Sequence, residues 1–264
     1  MFDAFSARLM IDVKKTLRYR NIYIWFIVIV LSFAATFARN LYITEISNQK
    51  TIGALNTFIY GAIYDNPIIA LLAPFIASIL FSREYLCYND HPRQCYIYKC
   101  AYFYNAVSIA VRTSIFFFAS YLLGFLLILC VDGTASLRQD YFSHALFITV
   151  YDRSMLIYCI CIVLFIMVYA AAYSFLAYGL SNAIGNLHAG VILPGVLSYF
   201  LIYFAVAIVP NVSESVFAYI IPYQTYDTTS GMNPIRYFTQ IATVLGVGVL
   251  TNYIAVRKTM QGGL

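Results

Sequence analysis

Charged residues are scarce in this chain. Asp, Glu, Lys and Arg make up 10% of its 264 residues, whereas a soluble domain carries about 25%. So few charges leave too little polar material to cover the surface of a soluble globule of this size. Because 62% of the residues are hydrophobic, the composition predicts a membrane protein whose single domain, residues 1–264, has its core in lipid.

Residue patterns typical of catalysis are missing as well. Glu is absent from all the long apolar runs, and the three histidines are scattered at His91, His144 and His188. The chain has no GxxxxGK[ST] motif, the glycine-rich loop that holds nucleotide phosphates. We therefore predict that this chain is not an enzyme and does not itself hydrolyse ATP.

Cysteine does not form a metal-binding pattern. Cys87, His91, Cys95 and Cys100 are close in sequence, but their spacing matches no zinc motif. The six cysteines fall in apolar runs or in one predicted cytoplasmic segment, where disulfides are not expected. The sequence predicts no metal site, no disulfide and no cofactor bound to this chain.

Long apolar runs are what the sequence has in abundance. A membrane-spanning helix needs about 20 apolar residues, and continuous runs indicate helices rather than the alternating strands of a barrel. The predicted fold class is therefore all-α, a polytopic membrane protein with six transmembrane helices. The six runs cover residues 21–38, 66–81, 101–131, 154–180, 189–209 and 238–256. The third is longer than one span requires.

The distribution of basic residues predicts the orientation. With the N-terminus in the cytoplasm, ten Lys and Arg residues fall on the cytoplasmic side and five on the outer side, while Arg112 lies inside the third run. Cytoplasmic loops carry an excess of these residues. Both termini are therefore predicted to be cytoplasmic, and the basic net charge reflects topology and not a nucleic-acid partner.

Residues 1–20 have the pattern of an amphipathic helix. At about 100° per residue, Phe2, Phe5, Leu9, Val13 and Leu17 fall on one stripe, while the basic residues lie off it. An apolar stripe beside a basic face is typical of a helix in the membrane interface, attracted to anionic lipid. The plainer alternative is a basic flank that only fixes topology.

The segment 82–100, "SREYLCYNDHPRQCYIYKC", concentrates charge between two apolar runs. Charges facing lipid are costly, so the segment must leave the hydrocarbon region. A simple turn could be much shorter, and Tyr and Arg are favoured at protein interfaces. We interpret it as a docking surface for a soluble partner. Its candidate contact residues are Arg83, Glu84, Tyr85, Arg93, Tyr96 and Lys99.

A polar face runs along the third apolar run. Asn105, Ser108 and Arg112 stand at i, i+3 and i+7 and share one side of a helix. We predict that these side chains face protein or a water-filled pathway and not lipid, because intramembrane charge is costly. Arg112 could line the pathway, tie this helix to another, or extend to the inner interface.

The order of these features resembles the membrane subunits of type-2 ABC transporters, in their small bacterial exporter branch. The resemblance begins with "MFDAFSARLMIDVKKTLRYRNIYIW" and continues with "FSREYLCYNDHPRQCYIYKC", in which Phe81, Glu84, Pro92, Arg93 and Lys99 fill the family's pattern. It implies that a separate subunit binds ATP and Mg²⁺, and that residues 82–100 form the coupling region for that subunit.

The second half of the chain carries the same resemblance. In "GLSNAIGNLHAGVILP", Ser181, Asn186 and Ala189 match the family's link between the fourth and fifth spans. The stretch "VFAYIIPY" lies where the family has a short outer helix dipping into the membrane, here residues 213–223. The resemblance further implies a second permease half, in a homodimer or heterodimer, and a location in the bacterial plasma membrane.

The function implied is that of a permease subunit of an ATP-driven exporter. Apolar spans with few charges suit a hydrophobic or amphipathic cargo, such as an antimicrobial peptide, a lantibiotic or a drug. An ion-coupled secondary transporter is an alternative, but it should carry acidic residues at midplane, and only Asp65 comes close. A non-transporting membrane sensor or scaffold is the other alternative.

Overall fold

The computed structural model describes residues 72–80, 95–132, 148–208 and 234–261, together with single positions between residues 10 and 59. Five helices run through the last three of these four stretches. They are α1, Cys95–Asp132; α2, Ile148–Arg153; α3, Met155–Ile184; α4, Leu187–Ile208; and α5, Pro234–Gln261. Residues 72–80 are also helical. Every element of regular structure in the described stretches is thus an α-helix, as the all-α prediction requires.

Three helices of the described part are long and apolar enough to cross a membrane: Tyr102–Cys130, Met155–Ile184 and Phe238–Lys258. With a rise of 1.5 Å per residue, the first two, of 29 and 30 residues, extend for about 45 Å, and the third, of 21 residues, for about 32 Å. A hydrocarbon core is roughly 30 Å thick. The apolar part described for α4, Leu187–Leu197, is shorter. The protein is therefore a helical membrane protein.

The surface of these helices supports the same conclusion. Large apolar side chains are exposed along α3, α4 and α5, including Ile157, Ile192, Phe200, Leu250 and Ile254. Soluble monomers rarely expose apolar patches larger than a few hundred Å². Lipid tails around the helices would remove this surface from water without any further protein contact.

The ends of α3 show why the chain turns where it does. Ser154 is the N-cap, and its hydroxyl accepts a hydrogen bond from the Ile157 N–H at 3.4 Å. Gly185 ends the helix with φ of 76°, a left-handed conformation that glycine adopts without steric cost. Its N–H donates to the Ser181 carbonyl at 3.0 Å. The prediction of a span at 154–180 is therefore close, with the helix extending to Ile184.

The next helix starts almost at once. The Asn186 side-chain oxygen accepts from the Ala189 N–H at 3.1 Å, which caps the start of α4. Gly190 lies against the backbone and side chain of Ser181, so closely that a Cβ there would clash. The link between α3 and α4 is thus a tight turn, and the two helices pack on each other.

Helix α3 is the centre of the described bundle, because it packs against α1, α4 and α5. One apolar cluster joins it to α1 and to the earlier segments, with the Phe58 and Phe125 rings 4.8 Å apart. A second cluster contains Tyr102, Phe175, Tyr178 and Val256. The second cluster brings the start of α1 and the ends of α3 and α5 to one end of the bundle, which we call the Gly185 end.

Candidate functional site

The predicted docking segment is described only in its last part. Tyr96 and Lys99 lie in the first two turns of α1, so residues 95–100 of the charged segment are helical. Arg83, Glu84, Tyr85 and Arg93 lie outside the described residues. Their role in partner binding remains a prediction.

Two other predicted features fall outside the described residues. One is the short outer helix predicted at 213–223. The other is the apolar stripe of the N-terminal segment, formed by Phe2, Phe5, Leu9, Val13 and Leu17. Helical conformation is described at the neighbouring Met10, Ile11 and Lys14, whose side chains are all exposed.

The polar face of α1 is buried inside the chain. Ser108 is fully covered, and Asn105 and Arg112 are 7% and 4% exposed. The Arg112 Nε donates to the Ser108 carbonyl at 3.3 Å, one turn earlier in the same helix. The guanidinium group therefore leans toward the Gly185 end and is covered by protein, and it does not extend along the outer surface of the bundle.

Helix α1 is long enough to leave the bilayer at an end. Its 38 residues correspond to about 57 Å, almost twice the hydrocarbon thickness. Arg112 lies 17 residues after Cys95, hence about 26 Å along the helix. The apolar stretch beyond it, up to Asp132, is by itself long enough to span the membrane.

A buried hydrogen-bond network joins three helices at the Gly185 end. The Tyr102 hydroxyl of α1 donates to the Asn252 Oδ1 of α5 at 2.9 Å. The Asn252 Nδ2 donates to the Phe175 carbonyl of α3 at 3.1 Å and to the Gly248 carbonyl of its own helix at 2.7 Å. We call Tyr102, Asn252 and these two carbonyls the Tyr102–Asn252 clasp.

The clasp uses the full hydrogen-bonding capacity of the Asn252 amide nitrogen. An amide has two N–H donors and one carbonyl acceptor, and in the clasp both donors and the acceptor are engaged. Asn252 is completely buried, so an unmet group there would be costly. The Tyr102 ring also lies against the Tyr178 ring, with centroids 5.2 Å apart.

Close approach of α3 and α5 surrounds the clasp. A Cβ added to Gly179 would lie 2.5 Å from the Thr251 Oγ1 and 2.6 Å from the Asn252 Nδ2. Gly248 lies against the Phe175 ring, where a Cβ would be 2.9 Å from the Cδ1 atom. At each of these two glycines, the backbone of one helix therefore contacts side chains of the other, an approach that only small residues permit.

Basic side chains are exposed at the same end of the bundle. The Lys258 Nζ donates to the Ala183 carbonyl in the last turn of α3 at 3.2 Å, which satisfies a helix-terminal carbonyl. Arg257 and His188 are exposed nearby in sequence. In the described spans Tyr102–Cys130, Met155–Ile184 and Phe238–Lys258 there is no Asp or Glu.

Sequence reasoning did not find the clasp. Its hydrogen-bonded side chains are 150 residues apart, and Tyr102 is one of 25 tyrosines. The available signal was Asn252, a polar residue with high desolvation cost inside the last apolar run. The tyrosine that pairs with it could not be selected without the packing of the helices.

The fold and these contacts define a polytopic helical membrane protein with a buried polar network at one end. No protein-family model matches the chain, and no curated protein is significantly similar to it.

Proposed function

We propose that this chain is the membrane-spanning permease subunit of an ATP-driven ABC exporter. In this proposal six helices cross a bacterial plasma membrane with both termini inside. A separate subunit binds ATP and Mg²⁺ and docks on residues 82–100. Two permease halves, identical or different, form the pathway for a hydrophobic or amphipathic cargo such as an antimicrobial peptide, a lantibiotic or a drug.

The observation that carries the proposal is that residues 95–100 of the charged segment belong to α1. The helix begins at Cys95, inside the segment, and continues unbroken to Asp132. A protein that pushes on residues 82–100 would therefore act on the end of a helix about 57 Å long. Such an arrangement suits a membrane subunit whose helices are moved by a soluble ATP-binding subunit. A segment that only connected two spans would not need to continue into so long a helix.

Two features support this proposal over an ion-coupled carrier. Coupling ions and protons are usually bound by acidic side chains or by interrupted helices near the bilayer midplane. The three described spans carry neither Asp nor Glu, and each is a continuous helix. Their charged residues are all basic: Arg112 is buried within α1, and Arg257 and Lys258 are exposed at the end of the last span.

The docking role is tested by replacing Glu84 and Arg93 together with Ala. Removing one partner of a buried charge pair at an interface costs about 2–5 kcal/mol, so the double variant should lose the ATP-binding subunit during affinity purification. The matched control replaces Asp152 and Arg153 together with Ala. These two residues are an exposed acid and base in α2, and they precede the start of α3, at the opposite end of that helix from Gly185. Equal recovery of the subunit with both double variants would remove residues 82–100 from the proposed role.

A further inference from the structure

The Tyr102–Asn252 clasp lies close to the point where the charged segment enters the bundle. Tyr102 is seven residues after Cys95, the first residue of α1, which is about 10 Å along the helix. It is the first residue of the candidate span Tyr102–Cys130. A displacement of the start of α1 would therefore reach Tyr102 before any other residue of this span.

The clasp connects Tyr102 to the two neighbouring helices by buried hydrogen bonds. Tyr102 donates to Asn252 on α5, and Asn252 donates to the Phe175 carbonyl on α3. Gly179 of α3 lies against Asn252, because a Cβ added to Gly179 would be 2.6 Å from the Asn252 Nδ2. Few direct contacts other than the clasp join α1 to α5, since α3 lies between them.

We propose that the clasp transmits displacement of residues 82–100 from α1 to α5, so that Tyr102 and Asn252 are positioning residues of the transport cycle. This inference rests on the proposed function, because it requires a soluble subunit that acts on the segment. Packed interfaces with defined hydrogen bonds shift between discrete arrangements. A helix pair joined through one buried amide should move as a unit as long as that amide stays bonded.

Removing one oxygen atom breaks the hydrogen bond of the clasp that joins α1 to α5. Tyr102→Phe keeps the ring that packs on Tyr178 and removes only the hydroxyl that donates to Asn252. The matched control is Tyr253→Phe, which makes the same chemical change one residue after Asn252, on a side chain that is 59% exposed. Asn252→Leu, similar in size, removes both interhelical bonds and serves as the second variant.

The experiment is hydrogen–deuterium exchange on the purified complex, with and without ATP and orthovanadate. It follows peptides that cover the start of α1 and peptides that cover residues 252–261 of α5, and it needs no knowledge of the cargo. In the wild type and in Tyr253→Phe we expect nucleotide to change exchange in both regions. In Tyr102→Phe the change at α1 should remain, while the change at α5 falls about five-fold, the effect of one ordinary hydrogen bond on an equilibrium.

The possible failures can be told apart. If the chain binds no ATP-binding subunit, the proposed function fails and the inference fails with it. If nucleotide changes exchange at α1 but leaves α5 unchanged in the wild type, or if Tyr102→Phe keeps the full change at α5, the proposed function survives and the clasp is not the route. If neither Tyr102→Phe nor Asn252→Leu yields a folded complex, the clasp is a structural joint and the inference is overturned.

Discussion

The Phe175 ring of α3 lies directly against Gly248 of α5. A Cβ on Gly248 would be 2.9 Å from the Phe175 Cδ1 and 3.5 Å from the Leu176 Cα. Two residues earlier on the same helix, Gly246 is exposed and a Cβ there would meet nothing within 4 Å. The helix contact therefore depends on one of these glycines and not on the other.

This difference predicts opposite effects for two matched substitutions. Gly248→Ala should destabilise the protein by about 1–3 kcal/mol, because the added methyl group forces the ring or the α3 backbone to move. Gly246→Ala should be neutral, or stabilising by up to about 1 kcal/mol through helix propensity. Thermal unfolding in detergent measures both variants. A lower transition temperature for Gly246→Ala than for Gly248→Ala would contradict the packing of α3 on α5.

Arg112 provides a second prediction. Protein covers the Arg112 side chain, so Arg112→Leu should lower the free energy of unfolding and with it the transition temperature. The expected loss is roughly 1.5–3 kcal/mol, the contribution of a hydrogen bond from a charged group. Arg153→Leu is the control, since Arg153 is exposed at the end of α2. An Arg112 that only reached for the inner interface would leave the transition temperature unchanged. An Arg112 that lined the pathway would reduce ATPase activity in a complex that stays stable.

The proposed topology gives a third prediction. In a cysteine-free background, single cysteines at residues 2 and 262 should resist a membrane-impermeant maleimide added to intact cells, whereas a cysteine at residue 136, in the predicted outer loop, should react. After the membrane is opened, all three positions should react. Labelling of residue 2 or residue 262 from outside would overturn the assignment of both termini to the cytoplasm.

The positions of the later helices could be predicted from the sequence because the ends of apolar runs carry local signals. Ser154 caps α3 and Gly185 ends it, and the run predicted at 189–209 corresponds to α4 at Leu187–Ile208. The third run, which is too long for one span, is a single helix that begins within the charged segment. A continuous helix adds length without any change in local pattern, so the sequence could not show where the bilayer begins.

The contacts between helices could not be predicted in the same way. A membrane helix is apolar on faces that touch lipid and on faces that touch protein, so hydrophobic periodicity does not separate them. Gly246 and Gly248 lie two residues apart in the same apolar run, and of these two glycines only Gly248 meets another helix. Polar residues were more informative, because Asn105, Ser108 and Arg112 are all buried, where desolvation cost predicts them to be.

The most direct test of the proposed function is affinity purification of the chain from its native membranes in mild detergent. We expect a second polypeptide with a GxxxxGK[ST] motif to be recovered in stoichiometric amount, and the complex in liposomes to hydrolyse ATP in a vanadate-sensitive manner. Recovery of the chain without any nucleotide-binding polypeptide, from membranes in which it is folded, would contradict the account.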